Sequence, residues 1–409
     1  MGGCRPGARL AAVVVALVLA AACSRGTPPS AALREAGGAP STGEGDGAGA
    51  GVEATGATTT TAPPVEVTMA FTGDVLAHAP ISRQAAAYGG ASGVAYDYGP
   101  MFARVAPILS AADVAVCHLE TPLSPDDTNL STYPVYNVPH EVATALAGAG
   151  WDGCTVASNH AMDAWDRGVH ATLDLLDAAG LRHSGTARSA EEAAAPTMYE
   201  ARGVTIASLS YTYGLNGFTL PDDQPWLVNL IDPDRILADA AAARQAGADL
   251  VVVHLHWGEQ YLTAPTADQS ALARRLLASP DVDLIVGAHA HVVQPVEQID
   301  GEYVVYGLGN FLSNQSPECC APGAQDGVIV TAQVRAPADG PATVTGLVVT
   351  PTWVDRSDYT VLPVAAALDD PATEAWMRPT LEASWDRTIS TLVSMGAPGI
   401  LASDYPGPG

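Results

Sequence analysis

Histidines two residues apart recur in this chain: His254 with His256, and His289 with His291, joined by a mixed pair, His118 with Glu120. On extended backbone, residues i and i+2 point to the same side, so each pair converges on one point. Other polar residues also close apolar runs. Asp74 follows residues 65–71, and Asn159 and His160 follow 154–157. Imidazoles combined with carboxylates and an amide oxygen suit zinc, manganese or iron; calcium prefers all-oxygen shells. A histidine alone at a strand end is ordinarily just hydrogen-bonded, and His140, His170 and His183 read that way. Two His-x-His pairs, acids and an Asn-His dipeptide, all after apolar runs, are harder to dismiss. His78, four residues beyond Asp74, is intermediate, and Asn310 reads equally as a Gly-Asn turn. Trp257 and Tyr261 read as pocket wall.

Such residues need a scaffold that gathers them. Apolar strand patterns at 65–71, 113–117, 154–157, 204–209, 250–254 and 284–286 alternate with helical patterns at 100–110, 139–149, 168–179, 233–246 and 267–278. Asp232 is the expected cap and Gly247 the stop of the 233–246 helix. Strands at 303–306, 328–334 and 343–350 follow, then a helical pattern over 373–395 interrupted by Pro379. The class is α/β, and in open α/β sheets ligands bind beyond the carboxyl ends of strands.

The 409 residues carry a net charge of −26, and all 18 cationic residues are Arg. A chain this acidic repels nucleic acid. Without lysine it cannot form a Schiff base or a P-loop. No Gly-x-Ser-x-Gly or His-Glu-x-x-His motif points to a serine hydrolase or zincin. Residues 1–23 read as an export signal: Arg5 and Arg9, an apolar run over 10–22, then Cys23 after three alanines. That junction resembles a lipobox, with Cys23 lipidated and the protein held on the outer face of the membrane; plain secretion is the alternative. Residues 24–64 are rich in Gly, Ala, Thr, Ser and Pro and read as a flexible tether. Cys117 and Cys154 lie in apolar runs and read as buried free thiols; adjacent Cys319 and Cys320 would bridge only with strain.

Six ordered stretches resemble the CapA family of poly-γ-glutamate capsule synthesis proteins. They are Phe-Thr-Gly-Asp-Val (71–75), Leu-Glu-Thr-Pro-Leu (119–123), Ser-Asn-His-Ala-Met-Asp (158–163), His-Trp-Gly-Glu-Gln-Tyr (256–261), Gly-Ala-His-Ala-His-Val-Val-Gln (287–294) and Gly-Leu-Gly-Asn-Phe (307–311). That family resembles the calcineurin-like metallophosphoesterases. The resemblance implies a four-layer α-β-β-α sandwich with two mixed β-sheets over 65–365, followed by a C-terminal helical segment and tail over 366–409. It implies one or two divalent transition metal ions held by Asp74, Glu120, Asn159, His289, His291 and His256, or less simply His254. His160 is the implied proton donor, and Asp163 of the same stretch joins it as a catalytic candidate. His78 and His118 stand as additional ligand candidates. Leu76 occupies a position where ordinary phosphoesterases carry a metal-binding histidine, and His118 stands where the family commonly has Asn. The implied function is capsule polymer synthesis or export with a phosphoesterase-like hydrolase site. The implied partners are an anionic polymer or phosphoester substrate and a capsule-synthesis membrane complex. A non-catalytic polymer- or wall-binding lipoprotein with a vestigial metal site is the alternative.

Overall fold

The computed structural model describes residues 63–404. The export signal, Cys23 and nearly all of the tether lie outside the described residues. Two mixed sheets form the body. The larger runs in the order Thr360–Pro363, Thr343–Asp355, Asp326–Ala336, Val65–Val75, Val114–Leu119, Gly153–Thr155, Arg182–Ser184. Two short strands extend it: Asn310–Leu312 pairs with Val65–Val75, and Ile400–Ala402 with Thr343–Asp355. The smaller runs Thr197–Ala201, Val204–Thr212, Leu250–His256, Leu284–Ala288, Glu302–Val305, Val296–Ile299.

Side-chain alternation explains the layering. Met69, Phe71, Val114 and Val116 enter the space between the sheets, where they meet Leu250, Val252, Leu284 and Val286. Their neighbours Ala70, Ala115 and Cys117 face outward, beneath Ile81, Leu146 and Leu173 of the helices Ala79–Ser92, Glu141–Ala149 and Trp165–Ala178. Val251, Val253 and Ile285 likewise face Ile236 and Leu276 of the helices Pro233–Gln245 and Ala267–Leu277. The stretches Leu250–Val253 and Leu284–Val286 are apolar at every position because both faces of these strands are covered. This is the four-layer α-β-β-α sandwich that the resemblance implied.

Local signals act as expected. The Asp232 side chain accepts from the backbone N–H groups of Asp234 and Arg235, capping its helix. Thr266 and Gln269 form a reciprocal capping box. Prolines account for two differences. The 100–110 pattern divides into Gly99–Phe102 and Ala106–Leu109, each with proline in its first turn. Pro379 begins the last helix, Arg378–Leu392, and does not interrupt it; a first-turn proline gives up no helical hydrogen bond. This helix packs Leu381 and Trp385 against Trp353 and Leu362, and Ser384 and Arg387 hold the buried Asp326 carboxylate.

Cys117 and Cys154, expected as free thiols, instead form a disulfide, and the adjacent Cys319 and Cys320 are bridged as well. Strand register explains the first: Cys117 and Cys154 are direct partners across a parallel pair, with Cα atoms 4.4 Å apart.

Several strands run further than their hydropathy indicates. Leu250–His256 keeps pairing through His254 and His256, opposite Val286 and Ala288. The polar residues therefore ride on ordered strand ends.

Candidate metal centre

Asp74 ends the first strand, where the chain must pass very close to Gly309. A Cβ on Gly73 would lie 1.9 Å from the Gly309 carbonyl oxygen, so only glycine fits. The Asp74 N–H donates to that oxygen at 3.0 Å. Strand pairing sets His118 beside Asp74 on one side and Thr155 on the other. Glu120 comes two residues later, its backbone N–H bonded to Val75. Asn159 and His160 follow the Gly153–Thr155 strand, His256 ends its own strand, and His289 and His291 follow Leu284–Ala288. Both of these last histidines have left-handed backbone, φ 92° and 56°. Non-glycine residues there cost about 1–3 kcal/mol each and persist only where surrounding structure holds them. Here the His289 N–H donates to Asp74 Oδ1 and the His291 ring meets Asp74 Oδ2 at 2.9 Å.

Glu120 is the centre of the arrangement. It is 1% exposed, and among the described residues neither carboxylate oxygen has a hydrogen-bond partner. Three imidazole Nε2 atoms face its Oε1: His291 at 3.8 Å, His160 at 4.0 Å and His256 at 4.0 Å. Those gaps exceed a hydrogen bond. Two donor sets share this carboxylate, Asp74–Glu120–His291 and Glu120–His256–His289. Within each set the ligand atoms lie within 4.8 Å of one another. Asn159 Oδ1 joins the second set, 2.9 Å from His256 Nε2. The buried His289 Nδ1 is also unpartnered. A buried carboxylate and imidazole left without partners are costly unless a cation pairs with them. The residues therefore fit a metal pair.

Electrostatics agree. Burial pushes the Glu120 carboxyl up to about 7. Burial also pushes His289 down to about 3, and His256 well below its ordinary value. His291 is the exception: burial lowers it, but the Glu120 and Asp74 carboxylates outweigh that and raise it to about 9. Burial would raise Asp74, yet its hydrogen bond and attraction to His291 hold it below the carboxylate range.

His160 sits beside this centre with its Nδ1 2.7 Å from Asp163 Oδ2. Asp163 Oδ2 also accepts the Tyr136 N–H at 2.7 Å, which fixes it. The His160 Nε2 is thus turned towards Glu120. Tyr136 stands edge-on to His160, centroids 4.8 Å apart, and half-exposed Tyr213 covers His289 at 4.6 Å.

Not every candidate gathers here. His254 shares a strand face with His256 but lies two residues deeper, about 6.6 Å along the strand. Its ring packs on Phe71 between the sheets, burial drives it down to about 3, and it joins none of the donor sets. His78 also stays outside them: its Nδ1 meets the Leu76 carbonyl and the Asn314 N–H. Leu76 itself is packed in the core under the helices. His140 and His183 pair with Asp127 and Asp177, and His170 lies on the Trp165–Ala178 helix. Asn216 has no counterpart in the sequence reading. Its Oδ1 accepts from Asn159 Nδ2 at 3.1 Å and so turns the Asn159 carbonyl towards His256.

The strand ends of a four-layer sandwich thus carry one carboxylate shared between two donor sets, Asp74–Glu120–His291 and Glu120–His256–His289. The chain belongs to the bacterial capsule synthesis protein PGA_cap family, whose pattern matches residues 68–315. It is 28% identical over 258 residues to the capsule biosynthesis protein CapA of Bacillus anthracis, covering 61% of this chain and 60% of that one. It is 31% identical over 219 residues to the PGA biosynthesis protein CapA of Bacillus subtilis strain 168, covering 53% and 57%. The match thus spans less than two thirds of either relative. Among solved structures, the calcineurin-like phosphoesterase YfkN of Bacillus subtilis overlaps 80% of this chain and 99% of its own, at 13% identity and a TM-score of 0.39.

Proposed function

We propose that this protein is a metal-dependent hydrolase of phosphoesterase type, acting on an anionic surface polymer or its phosphoester precursors during poly-γ-glutamate-type capsule synthesis or export. The observation that carries the reading is Glu120, whose two buried oxygens have no partner and whose neighbours are three imidazole nitrogens. Asp74, Glu120 and His291 would hold one ion; Glu120, Asn159, His256 and His289 the other. A nitrogen-rich set with carboxylates favours manganese, zinc or iron. Divalent ions in such a site supply a nucleophilic water at neutral pH and screen charge on a phosphoryl oxygen.

The chain's own residues do the rest. Asp163 holds the His160 Nδ1–H, so His160 presents Nε2 to the cleft and can deliver a proton to a departing oxygen or nitrogen. Membership of the capsule family supports the polymer pathway. A vestigial site would purify without stoichiometric metal, which separates the binding-protein alternative.

Metal loading should release protons. His291 holds a proton below about 9 and Glu120 one below about 7 in the metal-free protein, and a bound ion displaces both. Apparent affinity should therefore rise as pH increases from 6 to 9. Calorimetry of Mn²⁺ binding in buffers of different ionisation enthalpy counts the protons; a pH-independent affinity would contradict the assignment.

The reading also places the protein outside the cell, held by lipid on Cys23, in contact with a capsule-synthesis membrane complex. The support is the apolar run and Ala-Ala-Ala-Cys junction at the N-terminus. Cys23→Ser should move the protein from the membrane fraction to the medium. Equal membrane retention would remove the anchor from the account.

A further inference from the structure

His118 is almost fully buried, 5% exposed. Both its ring nitrogens are engaged. Nδ1 lies 2.8 Å from Thr155 Oγ1, and Nε2 lies 2.9 Å from His256 Nδ1. Thr155 can pass its own proton to the Cys117 carbonyl at 3.3 Å, which frees its oxygen to accept. A consistent direction then runs through the chain. His118 Nδ1–H donates to Thr155, His118 Nε2 accepts the His256 Nδ1–H, and His256 Nε2 keeps its lone pair.

We propose that His118, anchored by Thr155, is a positioning residue that holds His256 in the one tautomer able to bind an ion beside Asn159. This rests on the metal-site reading above.

Ion binding selects that direction. His256 Nε2 faces Asn159 Oδ1 at 2.9 Å, and Asn159 Nδ2 is occupied by Asn216. With the His256 proton on Nδ1, the Asn159 oxygen and the Nε2 lone pair are close enough to join the same metal shell. Without an ion the reverse direction also closes, with His118 Nε2–H donating to His256 Nδ1 and His256 Nε2–H to Asn159 Oδ1, and that last proton must leave before an ion binds. Asp74, His118 and His256 are also close enough to resemble a separate donor set. Using His118 as a ligand there would ask His256 to offer lone pairs from both nitrogens, as an anion. Donating Nδ1–H to a neighbour is the ordinary arrangement for a metal-binding histidine, and losing that neighbour typically weakens metal affinity about 10–100-fold.

The test compares full-length parent, His118→Leu, His118→Gln and Thr155→Val by calorimetric titration of Mn²⁺ into metal-free protein. His118→Leu should weaken the second equivalent about 10–100-fold and leave the first unchanged. His118→Gln puts an acceptor oxygen near the Nε2 position and should restore most of the loss. Thr155→Val should weaken the second equivalent in the same direction, and it decides the matter if His118→Leu does not fold. Co²⁺ absorption should show the change confined to one of two sites. Parental affinity for the second ion in His118→Leu, or in a folded Thr155→Val, would overturn the role. Equal loss of both ions, or failure of Gln to restore the loss, would also overturn it by showing a purely structural effect. If the parent protein binds no metal, the metal-site reading itself fails, which is a different result from these.

Discussion

Glu120→Gln is expected to abolish binding of the metal pair while stabilising the metal-free protein. The two effects come from one cause. The carboxylate lies at the meeting point of both donor sets, so losing its charge removes the shared anion that two cations need. Without ions that same charge is a burden, because it is buried and unpartnered. Its folded value is about 7, above the ordinary 4.5. An acid whose value rises on folding binds its proton more tightly in the native state. The Glu120 contribution to the metal-free fold is therefore most favourable below pH 4.5, weakens as pH rises to about 7, and is a full penalty above it. The amide variant escapes that penalty. Its advantage over the parent should grow with pH and reach on the order of 3 kcal/mol above neutrality. Urea denaturation in chelator from pH 5 to 8.5, with metal content by mass spectrometry, measures both effects. A variant that keeps both ions, or is less stable than the metal-free parent at pH 8, would contradict the assignment.

His160→Ala should leave both ions in place and lower turnover. His160 touches neither donor set as a required ligand, but its Nε2 is aimed at Glu120 and its Nδ1 is fixed by Asp163. Removing a positioned proton donor typically costs about 10²–10⁴ in rate. The loss should fall on kcat for an aryl phosphodiester with a poor leaving group. It should shrink for a good leaving group, which needs no proton. Asp163→Asn should give part of the same loss, since an amide no longer fixes the His160 tautomer. Unchanged turnover in His160→Ala with the poor leaving group would exclude the proton-donor role.

Much of this site was readable from spacing, because strand geometry converts i and i+2 into a shared direction. Asp74, Glu120, Asn159, His160, His256, His289 and His291 all close apolar strands, and the sandwich gathers them at one rim. The choice between His254 and His256 was not readable. Both obey the same alternation, and only the register against Val286 and Ala288 shows which reaches the rim. The Cys117–Cys154 bridge was hidden for a similar reason: a separation of 37 residues says nothing until two parallel strands align. Asn216 lies between the strand Val204–Thr212 and the helix Pro233–Gln245 in a stretch without period, and its role arises only where that loop crosses Asn159. The α/β class was legible because apolar runs of strand length alternate with capped helices, whereas the four layers were implied only by the family resemblance. Pro379 misled because a proline that begins a helix and one that breaks it look alike within a helical pattern.

The most direct measurement is anomalous diffraction from crystals of the protein grown with Mn²⁺. The account expects two peaks flanking the Glu120 carboxylate, one beside Asp74 and His291 and the other beside Asn159, His256 and His289. No peak at Glu120, or ions bound only elsewhere on the acidic surface, would contradict it.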